Sequence, residues 1–253
     1  MPSAVADSAA AWQRRNAPWL DRLRRELTPR DVRPLRVRLW LSQPVASSPD
    51  GLHLDGALSY IAVEAATGRT PGDAFDGYRG PPPHLQLPLA EVERHGHRLW
   101  ACSWALPSPG ALESLRYWRK RSDVERYGLS PTAKVVTAGG AYKSLNIPRA
   151  SVVAPYLDVF VRGDRDLLGR MLRRLDHLGR AGLGAVSGIE IDDDPLDRSL
   201  VHDGAPQRAL PIATMADADA YRDGSYAVRD ATLRPPYWHR ASEALCVVPR
   251  GTL

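Results

Sequence analysis

Between Asp164 and Ile191 the chain reads DRDLLGRMLRRLDHLGRAGLGAVSGIEI. This stretch limits the fold more than any other. Leu167, Leu168, Met171, Leu172, Leu175 and Leu178 fall on one helical stripe, with Arg165, Arg170, Arg173 and Arg174 mostly off it. Asp164 stands where an N-cap would, Asp166 in the first turn suits the helix dipole, and Gly179 stands where a left-handed C-terminal residue would. Gly182, Gly184 and Gly188 then punctuate a loop running into the strand-like AVSGIEI. Nucleotide-binding fingerprints run strand, glycine loop, helix, so that the helix N-terminus faces a phosphate. Here the order is helix, glycine loop, strand, and no lysine follows the glycines, which argues against a nucleotide cofactor. Two readings of the loop stay open: a long C-cap with a flexible turn, or a cradle where Arg180 and main-chain amides approach a polyanion.

The 253 residues can build a full core, and 43% hydrophobic with 25% charged residues is an ordinary globular composition. No apolar run nears the roughly 20 residues that span a bilayer, and the start of the chain has no apolar leader. Cys102 and Cys246 are too few for a disulfide framework or a cysteine-rich zinc site, so a cytoplasmic location is expected. The net charge is +5, and arginine carries nearly all of it, with Lys120, Lys134 and Lys143 the only lysines. Arginine suits bidentate phosphate contacts and stacking on bases, although a GC-rich genome produces the same bias.

Residues 1–34 read as an appendage, with a short helix starting near Pro18 and closed by Pro29 and Pro34. LRVRLWL, 35–41, alternates strictly and predicts a half-buried strand with Arg36, Arg38 and Trp40 outward. His53 sits at the strand-to-helix junction before a helix over 54–66. Residues 67–89 are rich in glycine and proline and predict a loop. Two strands, His97–Leu106 and Ser114–Ser122, are expected to pair across the PSPG turn. Between Ser114 and Ala150 there are eight Lys and Arg against only Asp123 and Glu125, interleaved with Tyr117, Trp118, Tyr127 and Tyr142. Such interleaving serves both phosphates and base faces, the alternative being a solvated charged face. Ser151–Gly163 predicts a strong strand feeding the helix over 164–178. Asp192, Asp193, Asp194 and Asp197 lack the spacing of a calcium loop and read as a solvated acidic loop with no metal. The tail from 213 to 253 carries ALCVVP, a candidate edge strand.

In order, a strand (35–41), a helix (54–66), a β pair (97–122), a strand (151–162), a helix (164–178) and a strand (185–191) predict an α+β fold. It is a ferredoxin-like βαββαβ unit over 35–212 with long insertions in 67–150, whose open sheet face is available to RNA.

Several segments bear a further resemblance. HLDGALSY (53–60), GGAYKSLNIP (139–148), VFVRGDRDLLGRML, LGRAGLGAVSG and GAPQRALPI (204–212) occur in an order and spacing that resemble the RAMP superfamily of CRISPR-associated proteins. Within it they are similar to the Cas-five-like subunit that caps the five-prime handle of the guide RNA in type IV effector complexes. The resemblance covers about Leu35 to Ile212. It implies a non-catalytic, cofactor-free subunit of a ribonucleoprotein. The implied partners are the handle, the backbone, large and small subunits of the complex, and target DNA, without a membrane. Candidate RNA contacts are Arg119, Lys120 and Arg121 on the hairpin, then Lys134, and Tyr142 and Lys143 beside a glycine pair. Gly179, Arg180, Gly182 and Gly184 of the glycine loop follow, with Arg208 last.

The competing reading is a metal-free endoribonuclease. Some RAMP proteins cut repeat RNA with a histidine near the first helix, and His53 lies there, with Tyr142 or Lys143 as helper. Against it, a lone histidine at such a junction usually bonds nearby backbone, and no partner spacing demands catalysis. A protein-interaction scaffold without RNA is the third reading.

Overall fold

Leu35, Val37 and Leu39 are fully buried, so the alternation of that strand does face the core. The computed structural model describes residues 4–46, 51–75, 83–120, 145–178, 184–235, 237 and 242–250. The chain opens with α1 (Ala4–Leu27), β1 (Val32–Leu41), β2 (Val45–Ala46), α2 (Leu54–Thr67) and a one-turn α3 (Pro71–Ala74). Then come β3 (Glu91–Arg94), β4 (His97–Trp100), β5 (Leu106–Pro107), β6 (Leu112–Lys120) and β7 (Leu145–Val153). β8 (Tyr156–Asp164), α4 (Arg165–Leu172) and β9 (Val186–Asp193) complete the central unit. Last are β10 (Val201–His202), β11 (Ala205–Pro206), β12 (Leu210–Pro211), a 3-10 helix (Met215–Ala220), β13 (Tyr226–Thr232) and β14 (Glu243–Pro249).

The main sheet runs β5-β8-β1-β9, and each pairing is antiparallel. Reading β1, α2, β5, β8, α4, β9 as the repeating unit gives the fourth, first, third and second strands side by side. That is the ferredoxin-like α+β arrangement the pattern predicts. The helices bury their apolar faces on one side of it, with Leu58, Leu168 and Leu172 almost fully covered. Burying a leucine is worth about 1.5–3 kcal/mol, so this layer sets the frame. Among the described residues, no helix is long and apolar enough to cross a membrane.

Several expected elements are placed differently. The N-terminal helix begins at Ala4, with Pro18 inside it rather than at its start. Trp12 and Trp19 hold it down by packing on Phe75, at ring-centroid distances of 5.3 and 6.5 Å. Arg22 donates to the Ala66 carbonyl at the end of α2 (2.6 Å). The loop over 67–89 contains α3, capped by Thr70, whose hydroxyl accepts from the Asp73 amide. His97–Trp100 pairs with Glu91–Arg94, and Leu112–Lys120 pairs with Leu145–Val153, so the expected pairing across PSPG does not form. The long strand predicted over 151–163 is two strands broken at Ala154–Pro155, because its first half belongs to this hairpin and its second to the main sheet. The hairpin is thus an insertion between the second and third strands of the ferredoxin-like unit.

Asp164 caps α4 as its position predicts, accepting from the Leu167 amide at 3.1 Å. Burial would raise its pKa, but the backbone N–H groups of Arg30, Leu167 and Asp31 outweigh that and hold it below the usual carboxylate range. The helix stops at Leu172, short of the expected 178. The chain straightens there to form a small ladder: Leu178 N–H donates to Gly184 O and Val186 N–H to Asp176 O, at 2.9 and 2.8 Å.

The acidic run stays largely in solvent, as expected, except at Asp194, and each of its four members is ion-paired. Asp194 is 1% exposed and accepts two N–H groups of the Arg198 guanidinium (3.0 and 2.8 Å), while Asp192 accepts from Arg36 (2.6 Å) and Asp197 lies 3.6 Å from Arg162. At the C-terminal end, β14 is the centre of a β12-β14-β13 sheet, not an edge, because Leu210 and Pro211 pair along its other side.

Candidate nucleic-acid interface

Two segments flagged by the sequence, the basic hairpin and the glycine loop, share one root. β7 pairs with β2, putting Val45 opposite Val152 and Ala46 opposite Ser151. The Gly184 amide donates to the Pro44 carbonyl at 2.8 Å. Gly184 has φ of +74°, and a Cβ there would lie 3.1 Å from Leu178 Cβ and 3.3 Å from Val45 Cγ2. Glycine is required at this spot both by the left-handed backbone and by the close approach. The base of the loop and the base of the hairpin therefore converge on Pro44–Ala46, just past the end of β1.

The hairpin is a two-faced ribbon, because residues opposite each other in an antiparallel pair share a face. On one face Leu115 lies opposite Ala150 and Tyr117 opposite Pro148; Leu115 and Tyr117 are 56% and 54% exposed. On the other, Arg116 lies opposite Arg149, both exposed. The ribbon thus carries two positive charges side by side on this face. Arg119 and Lys120 continue β6, opposite Asn146 and Leu145. Arg121, Lys134, Tyr142, Lys143, Gly179, Arg180 and Gly182 lie outside the described residues. Neither Arg116 nor Arg149 was among the sequence candidates. The signal that could have found them is the pair of strand-like segments LESLRYWRK and LNIPRASVV on either side of the basic stretch, each carrying its arginine at the matching register.

The open face of the main sheet is more neutral than its sequence suggests. Arg38 makes a two-pronged bond to Asp158 (2.8 and 2.8 Å) while its guanidinium lies 3.8 Å from the Tyr156 ring centroid. Arg36 is bound to Asp192, and Arg198 covers Phe160 at 3.7 Å. Trp40 and Tyr156 meet edge to face at 5.2 Å at the hairpin end of β1. The face thus offers aromatic surface near the shared root and paired charges elsewhere.

Arg208 is not on a surface at all. It is 0% exposed, and its guanidinium donates to the carbonyls of Trp100 (2.6 Å), Cys102 (3.2 Å) and Leu233 (2.6 Å) and to Asp55 (3.3 Å). The Tyr237 hydroxyl donates to the Asp55 carboxylate (2.6 Å) and accepts from Arg208 (3.3 Å). Burial first, then the Asp55 charge, keeps the Tyr237 phenol well above its ordinary pKa, so it remains a neutral donor. A cation spent on three carbonyls and a buried carboxylate is structural, and its role as an RNA contact is withdrawn.

His53 takes the N-cap position of α2 without a side-chain capping bond. Its ring stacks on Tyr237 at 4.0 Å and meets Trp104 edge to face at 5.7 Å. With Arg229, Asp230 and Glu243 it lines a cavity of about 210 Å³ against the C-terminal sheet. No curated protein matches the chain. Residues 128–249, just under half of the chain, match the family model described as CRISPR type IV associated protein Csf3, and this match supports a CRISPR type IV associated subunit.

Proposed function

We propose that this chain is a non-catalytic subunit of a type IV CRISPR ribonucleoprotein that grips the five-prime handle of the guide RNA and helps assemble the complex on target DNA. The observation that supports the reading is the shared root at Pro44–Ala46, where the base of the basic hairpin and Gly184 at the end of the glycine loop meet. The match over 128–249 takes in the second strand of the hairpin and the whole glycine loop, and supports the same assignment. Tyr117 and Trp40 supply ring surface for bases, worth about 1–3 kcal/mol per stacked base, and Arg116 and Arg149 supply charge for phosphates.

The test is binding of labelled repeat RNA across a salt series. The wild type binds with a steep salt dependence and leaves the RNA intact. Replacing Arg116 and Arg149 together by alanine weakens binding and lowers the salt slope by about 0.7 for each lost phosphate contact. No affinity at low salt, even with its companion subunits, would leave a protein scaffold. Cleavage products that vanish in His53→Ala would establish the endoribonuclease, which the cavity beside His53 favours as a second reading.

A further inference from the structure

A separate groove of about 700 Å³ lies on the helical side, where the end of α1, the start of β1, α2 and α4 meet. Its floor is aliphatic, made by Leu23, Leu27, Ile61, Ala65, Leu167 and Met171. Arg25, Arg30, Arg170 and Arg174 stand around it, all exposed. None of the four side chains has a hydrogen bond or ion pair among the described residues, whereas nearby Arg33 is tied to Asp31 and Asp193 at 3.2 and 3.7 Å. A second hollow continues from Arg170 along α4 past the exposed Arg173 to Ile191.

We infer that this groove receives an acidic amphipathic helix from a partner protein, its apolar residues on the floor and its carboxylates on the arginine rim. An apolar floor rimmed by unpaired cations is what a helix with leucines on one side and glutamates beside them complements. RNA fits poorly: among the described residues no aromatic ring lines the groove to stack a base, and its aliphatic floor offers a nucleic-acid backbone nothing. Glu26, Asp31 and Asp166 on the lip leave the arginine side of the rim to the partner's carboxylates. The groove opens at the first residues of β1 and the hairpin root lies beyond its last. At about 3.3 Å per residue, the two are separated by roughly 30 Å. The inference therefore stands apart from the RNA reading.

The experiment measures anisotropy of a labelled peptide with leucines at i, i+3, i+4 and i+7 and glutamates between them, titrated with the full chain. A scrambled peptide of identical composition and a labelled oligouridylate run in parallel. The patterned peptide binds more tightly than its scramble, and R170E/R174E weakens it by about ten-fold, as two reversed charges should. The same variant keeps wild-type affinity for repeat RNA, which separates this outcome from any failure of the handle reading. Equal binding of both peptides, no patterned-peptide binding, an unaffected variant, or displacement of the peptide by oligouridylate would each overturn the inference.

Discussion

Replacing Arg208 by methionine tests the buried cluster most directly. The change keeps much of the side-chain volume but leaves the Asp55 carboxyl group 0% exposed without its cation, with the Tyr237 hydroxyl as its remaining side-chain partner. Removing one partner of a buried ion pair costs about 3–5 kcal/mol. The Trp100, Cys102 and Leu233 carbonyls also lose a donor, each worth on the order of 1 kcal/mol, while the tyrosine spares part of the carboxylate penalty. The expected loss is about 4 kcal/mol, a large share of the roughly 5–15 kcal/mol that stabilises a domain. With a urea slope of about 3 kcal/mol/M, the unfolding midpoint falls by more than about 1 M. The double variant D55N/R208M removes both charges and keeps an acceptor for Tyr237. It should recover about 2 kcal/mol relative to R208M. A loss under about 1 kcal/mol for R208M, the range of an exposed pair, or additivity of the cycle within about 0.5 kcal/mol, would refute the argument.

Gly184→Ala forces a Cβ into a left-handed residue packed on Leu178 and Val45, so the melting temperature drops by an amount equivalent to about 1 kcal/mol or more, and an unchanged melt would contradict the packing. Asp164 and Asp194 both have pKa values held below the usual range. Their contribution is therefore complete above the unfolded carboxylate value of about 4 and is lost as pH falls through their lowered folded values, so urea midpoints should be level near neutrality and decline in acid, less steeply in D164N. Burial pushes the thiols of Cys102 and Cys246 up to about 12, so iodoacetamide at pH 8 should label them only as fast as the protein opens; immediate labelling of the native chain would place them outside the core.

Features set by local periodicity were legible in the sequence. The alternation of LRVRLWL and the leucine stripe after Asp164 both turn the intended residues inward, and Asp164 caps as its position suggests. What was illegible depends on partners distant in sequence. β6 finds β7 across residues 121–144, so the nearer PSPG turn is a misleading guide to its pairing. β5 is two residues long and leaves no periodic trace. Arg208 looks like any surface arginine until Asp55, 153 residues away, and Tyr237 close around it. The outer sheet arginines likewise appear free because Asp158 and Asp192 arrive from other strands.

The basic ribbon leaves the sheet between a two-residue edge strand and the central β8. Adding or deleting facing residue pairs along it would change its reach by about 3.3 Å each, at little cost in closure entropy, without disturbing any hydrogen bond of the main sheet. Chains built on this plan can thus vary how far the ribbon reaches while inheriting an unaltered frame.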